Sequence, residues 1–155
     1  MELKPGDPAP SFALPDENGK VVSTESLRGK RYVLYFYPKD DTPGCTTEAC
    51  QFNDNLNAFQ GIDVPVLGVS RDDAGSHRQF QEKYHLTFPL LSDPDKKTHE
   101  AYGAWGERPD GKVGVIRSTF LIDDKGTITR AWYGVKPDGH AREVLEELEQ
   151  AGARR

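Results

Sequence analysis

The stretch Tyr32-Val33-Leu34-Tyr35-Phe36-Tyr37-Pro38-Lys39-Asp40-Asp41-Thr42-Pro43-Gly44-Cys45-Thr46-Thr47-Glu48-Ala49-Cys50 decides the architecture, and it holds both cysteines of the 155-residue chain. Its first six residues run without a polar interruption, as in a strand buried on both faces. Downstream, Cys45, Ala49, Phe52, Leu56 and Phe59 recur at spacings of four, three, four and three. At ~100° per residue these five fall within about 40° of one line along a helix. The stretch therefore reads as strand, short polar loop and helix, with the helix running to about Gln60 and a cysteine in its first turn.

The helix start follows residue by residue. Thr42 suits the N-cap, and Pro43 then takes the first helical position, where its missing N–H costs nothing. Gly44 lets another group approach the backbone closely. Cys45 becomes the third helical residue, where backbone N–H groups lack intrahelical partners and the dipole end carries roughly half a positive charge. Both effects favour a thiolate, which is the reactive form of cysteine.

Cys50 comes five residues later, ~140° around the helix and away from the apolar stripe. Ideal geometry separates the two Cα atoms by roughly 8.6 Å, from a rise of ~7.5 Å and a radius of ~2.3 Å. A disulfide needs less than about 7 Å. Either the two never pair, or the first turns unwind for them to do so.

Composition bounds the answer. A chain of 155 residues, 35% hydrophobic and 29% charged, suits one domain over residues 1–155 with a sizeable core. No apolar run approaches the ~18 residues of a membrane helix. Met1 to Gly6 contains no signal-peptide core, so a cytoplasmic protein is expected. There, a close cysteine pair is more often catalytic or metal-binding than structural. The net charge of -5, with no long Lys/Arg cluster, argues against nucleic acid as a partner.

Around the central stretch, residues 1–10 carry Pro5, Pro8 and Pro10 and read as irregular. Residues 11–14 and 20–23 flank the turn Asp16-Glu17-Asn18-Gly19 as an N-terminal β-hairpin. Residues 24–28 read as a helical turn ended by Gly29. Strands follow at 64–70, 88–92, 118–122 and 127–133, the last two forming a hairpin. Helices follow at 74–84, 96–102 and 141–151, and 105–114 reads as a Gly-rich loop. This is an α/β layer fold with a mixed central sheet.

The residues also resemble a known family. Pro38-x-x-x-Thr42-x-x-Cys45 looks like the peroxiredoxin active-site signature. Tyr37-Pro38-Lys39-Asp40, Thr42 to Ala49, Arg117 to Asp123 and Val135 to His140 resemble its bacterioferritin comigratory protein (Q-type) branch. The resemblance runs from about Gly6 to Leu148. It implies a thioredoxin-like, three-layer fold and reduction of hydrogen peroxide and organic hydroperoxides, with no metal, flavin or haem cofactor. It implies that Cys45 is the peroxidatic cysteine and that Thr42 hydrogen-bonds the substrate. It further implies that Arg117 stabilises the thiolate and the developing charge, and that Pro38 shields the site from water. Cys50 matches the resolving cysteine of members that carry it in the same helix; such members are often monomeric and reduced by thioredoxin. Attack on a peroxide then yields a sulfenic acid, which Cys50 converts to a disulfide for an external dithiol to open.

Other readings stand beside this one. Arg71, after the second apolar strand, matches Arg117 as a cation candidate on position alone. Glu48 reads as a solvated face residue. His77, His85, His99 and His140 lie far from the motif in sequence. Trp132 reads as a packing residue, and Trp105 as packing or as a lining of the site. A disulfide oxidoreductase would want Cys-x-x-Cys, whereas four residues intervene here. A metal-binding module on the same fold could hold copper or zinc with the two cysteines and a distant histidine, but the spacing is no recognised zinc pattern and no histidine motif accompanies it.

Overall fold

In a computed structural model the chain is described over residues 2–153. Elements follow in the order β1 (Ala13–Pro15), β2 (Val21–Ser23), β3 (Tyr32–Phe36), α1 (Pro43–Asp54), α2 (Leu56–Gly61), β4 (Val66–Ser70) and α3 (Ala74–Tyr84). After these come β5 (Leu90–Ser92), α4 (Lys97–Ala101), β6 (Trp105–Glu107), β7 (Val113–Val115), β8 (Ser118–Ile122), β9 (Ile128–Tyr133) and α5 (His140–Ala153). The central sheet has the order β5-β4-β3-β8-β9. β3 is its middle strand, parallel to β4 and antiparallel to β8. β4 and β5 are also parallel, and β8 and β9 antiparallel, so the sheet is mixed.

All five residues of β3 are buried. Side chains alternate across a sheet, so one uninterrupted apolar strand feeds two cores. Val33, Tyr35 and Tyr37 pack with Phe52, Phe59, Phe80 and Val144, from the layer of α1, α2, α3 and α5. Tyr32, Leu34 and Phe36 pack with Phe12, Leu27, Tyr102 and Phe120 on the side of α4 and the N-terminal hairpin. The stripe read in the sequence faces the first core: Cys45, Ala49, Phe52, Leu56 and Phe59 are all buried. The Tyr35 ring stacks on Phe52 at 4.7 Å between centroids, and a Cβ on Gly68 would meet the Tyr35 hydroxyl at 3.1 Å. Gly68 therefore leaves the room that this stack occupies.

Two elements differ from expectation. The helix does not run unbroken to Gln60 but breaks at Asn55, whose Nδ2 donates to Gln51 O at 2.8 Å. Asparagine side chains compete in this way with the helical ladder. Residues 24–28 make the expected single helical turn, closed by Leu27 N donating to Ser23 O at 3.1 Å and ended by Gly29 at φ +87°. Residues 105–114 are not a loop. They carry the hairpin β6–β7, with Trp105 opposite Val115 and Gly111 at φ +83° in the turn. The Trp105 ring carries two cations, Lys96 Nζ at 4.6 Å and Arg71 Cζ at 5.2 Å from its centroid, and the arginine that contacts Cys45 is Arg117 rather than Arg71.

Phe52→Ala is expected to cost the reduced protein about 3–5 kcal/mol, because the fully buried ring joins α1 to the sheet. Urea denaturation measures this; a loss below about 1 kcal/mol would contradict the packing described.

Candidate active site

The site begins with the loop between β3 and α1, which two consecutive acids tie down. Asp40 is buried. Its carboxylate accepts from Tyr37 Oη at 2.5 Å and Ser76 Oγ at 2.8 Å and meets His77 Nδ1 at 2.7 Å. His77 Nε2 faces Leu91 O at 3.1 Å. A carbonyl only accepts, so Nε2 carries a hydrogen and one further proton lies between Nδ1 and Asp40. The Asp40 N–H donates to Asp72 Oδ2 at 2.8 Å. Asp41, at φ +58°, accepts from Lys83 Nζ at 2.8 Å and Tyr84 Oη at 2.7 Å. The left-handed turn that delivers the chain to α1 is thus held against α3 from both sides. Pro38, half-buried, sits between the anchored Tyr37 and Asp40.

Thr42 occupies the N-cap of α1 with extended backbone (φ −96°, ψ 155°), and Pro43 opens the helix. The threonine side chain does not cap. Its Oγ1 donates to Lys39 O at 2.8 Å instead. The first hydrogen bond of the helix runs from Thr46 N to Thr42 O at 2.8 Å, so the N–H groups of Gly44 and Cys45 precede the ladder. Both cysteines are free thiols, Cys45 buried and Cys50 half-buried against the first core. Burial first, and the Asp54 charge second, push the Cys50 thiol up and favour its protonated form.

Arg117 arrives from the residue before β8, the strand paired with β3, and reaches α1. Its Nη2 donates to Cys45 Sγ at 3.3 Å and its Nη1 to Glu48 Oε1 at 2.6 Å. Burial opposes the guanidinium charge, but Glu48 and Cys45 outweigh it and raise the Arg117 pKa. A Cβ on Gly44 would stand 3.2 Å from Arg117 Nη2 and 3.3 Å from Pro137 Cγ. The groups that approach the bare glycine backbone are therefore this arginine and this proline of the same chain.

Glu48 is not a solvated face residue. It is fully buried, one oxygen is paired with Arg117, and Oε2 has no partner among the described residues. It stands three residues after Cys45, ~60° around the helix, so it shares the cysteine's side. That spacing was the available signal; its partner lies 69 residues away. Burial pushes the Glu48 pKa up to about 7 even though Arg117 pulls it down. The four histidines are engaged elsewhere or exposed: His77 on Asp40, His99 on Asp93 at 2.6 Å, His140 on Thr119 at 2.8 Å, and His85 at the surface. No cluster of three His, Cys, Asp or Glu side chains able to hold a metal occurs among the described residues.

A carboxyl titrating near 7 when folded and near 4.5 when unfolded keeps a proton that the unfolded chain has released. The stability tied to that proton is full below the ordinary glutamate range and is lost as pH rises through about 7. Between about pH 5 and about pH 8, the reduced protein should lose on the order of 2 kcal/mol relative to the Glu48→Gln profile. Parallel pH profiles of urea stability for the two proteins would contradict this assignment.

The AhpC/TSA family matches residues 5–131. The chain is 43% identical to peroxiredoxin Bcp of Bacillus subtilis over 151 residues, which is 96% of both chains. It is 42% identical to peroxiredoxin Bcp of Escherichia coli over 96% of this chain and 97% of that one. Among solved structures, a cysteine-to-serine mutant of Xylella fastidiosa PrxQ superposes with a TM-score of 0.92 at 38% identity, covering 98% of this chain and 99% of that one. Bacterioferritin comigratory protein of Xanthomonas campestris, solved as trapped intermediate and ligand complexes, superposes with a TM-score of 0.86 at 40% identity, covering 90% and 91%. No helix among the described residues is long and apolar enough to cross a membrane. With its thioredoxin-like fold and its cysteine at a helix start beneath an arginine, the chain belongs to the AhpC/TSA family, in its Bcp (PrxQ) peroxiredoxin branch.

Proposed function

We propose that this thiol peroxidase uses Cys45 as its nucleophile and Cys50 as its resolver. The observation that carries the reading is the 3.3 Å contact from Arg117 Nη2 to Cys45 Sγ at a helix start. A buried cation and the N–H groups of Gly44 and Cys45 converge where a thiolate would attack. The sulfur electron pair forms an S–O bond to one peroxide oxygen, the O–O bond breaks, and the leaving oxygen takes a proton to give water or an alcohol. Fixed donors stabilise the charge that develops on the separating oxygens. Because the Thr42 proton is already given to Lys39 O, its oxygen presents lone pairs, and Thr42 accepts from the peroxide O–H. Pro38 supports the loop that carries Thr42.

The resulting sulfenic acid meets Cys50. The Cys50 sulfur bonds to the Cys45 sulfur and water leaves, which requires α1 to unwind over its first turns. Burial of Cys50 as a thiol suits a resolver that does not itself compete for peroxide. An external dithiol of thioredoxin type opens the disulfide by exchange. The Xanthomonas relative is described for alkyl peroxide reduction, and organic hydroperoxides join hydrogen peroxide as the substrate class here. The likeness to the Q-type branch supports a monomer, and a disulfide opened each cycle suits the reducing cytoplasm.

Whole-protein mass spectrometry after one equivalent of hydrogen peroxide tests the cycle. The expected result is loss of two hydrogens, both cysteines closed to alkylation, and recovery with thioredoxin. Cys50→Ser should accept one oxygen and stop, and Cys45→Ser should not react. Normal cycling by Cys50→Ser would remove the intrahelical disulfide from the mechanism. An unreactive wild type would leave the disulfide-oxidoreductase and metal-binding alternatives.

A further inference from the structure

Helix α1 is tied to its surroundings unevenly. Among the described residues from Pro43 to Cys50, the side-chain hydrogen bonds of the helix run to one group, Arg117. Beyond Cys50 the ties multiply. Asn53 Nδ2 donates to His85 O at 3.0 Å, and Asn53 Oδ1 accepts from Thr87 N at 2.9 Å. Gln51 stands at the boundary, next to the second cysteine. Its Nε2 donates to Asp138 Oδ1 at 2.7 Å and its Oε1 accepts from Gly139 N at 2.7 Å. The residue before this pair, Pro137, is the one packed against Gly44. Residues 137–139 therefore lie along the first turns of α1, touching the helix before Cys45 and gripping it just after Cys50.

We propose that Gln51 is a positioning residue for the resolving step. Its clasp on Asp138 and Gly139 keeps α1 wound, and its opening sets how readily Cys50 reaches the Cys45 sulfenic acid. The inference rests on the reading of Cys50 as resolver. Both bonds lie at the surface, where each shifts a wound–unwound equilibrium by only about two- to tenfold. That is enough to bias the helix and little enough to open in every turnover. Two fates compete for the sulfenic acid. Condensation with the Cys50 thiol gives a disulfide and water. Attack on a second peroxide gives a sulfinic acid and water or an alcohol, with the sulfur oxidised and the O–O bond broken. A tight clasp prolongs the exposure of the sulfenic acid to peroxide, and a loose one hastens the disulfide.

The test is the ratio of disulfide to sulfinic acid, read by mass spectrometry after rapid quenching in graded excess hydrogen peroxide. Gln51→Ala should raise that ratio about three- to tenfold. Asp138→Ala removes one of the two bonds and should raise it less, and it serves if the first variant folds poorly. Gln51→Glu sets two carboxylates face to face and should also raise it. Gln51→Glu combined with Asp138→Asn moves the donor to the other partner and should return the ratio to that of the wild type. A lowered Tm with an unchanged ratio would mean a structural role only and overturn the proposal. If the wild type forms no intramolecular disulfide, the resolver reading falls, and this inference with it.

Discussion

The guanidinium of Arg117 holds together two groups that would otherwise repel, the Cys45 sulfur and the Glu48 carboxylate. An unpaired charge in a buried site is costly, and removing one partner of such a set leaves the others uncompensated. The arrangement accounts for several features at once. Gly44 has no side chain because the guanidinium passes within 3.2 Å of where a Cβ would stand. Glu48 is buried because it orients the arginine, and its proton uptake near pH 7 records the cost of that burial. The strand that follows Arg117 lies beside β3, the strand that feeds the loop into α1, so guanidinium and thiol are set by one pairing register.

That register has to be matched by the loop. Asp40 and Asp41 carry opposite duties with the same side chain. The first is buried in a network with Tyr37, Ser76 and His77, and the second grips Lys83 and Tyr84 at the surface. Both ties run to α3, so the N-terminal end of α1 is fixed from a separate helix. The helix is also held beyond Cys50, through Gln51 and Asn53. The segment between, with both thiols, has its polar side-chain ties among the described residues to Arg117. A mechanism that needs a wound helix for attack and an unwound one for resolution fits a segment fastened at both ends and lightly in the middle.

Much of this was legible in the sequence. An uninterrupted run from Tyr32 to Tyr37 suits a strand covered on both faces, and the spacing from Cys45 to Phe59 turns those residues inward together, which survives the break between α1 and α2. Thr42-Pro43-Gly44 marks the helix start, and Asp16 to Gly19 marks the hairpin turn. These are properties of neighbours, set by backbone sterics and side-chain period. Family resemblance supplied Arg117, which position alone did not separate from Arg71. The break at Asn55 and the hairpin at Trp105 were missed because each depends on a local competition that periodicity does not weigh.

What the sequence determined by itself was therefore the order of elements, the two-faced core and a cysteine at a helix start. The tertiary structure decided the partners: that Glu48 faces inward to Arg117, that the Thr42 hydroxyl turns to Lys39 rather than to the helix, and that Asp40 finds His77. It also decided that Gln51 reaches Asp138 and Gly139. The physical reason is common to all of them. Hydrogen bonds and ion pairs are directional and short, and these join groups that chain connectivity leaves free to choose, until sheet register and helix packing bring particular atoms within about 3 Å.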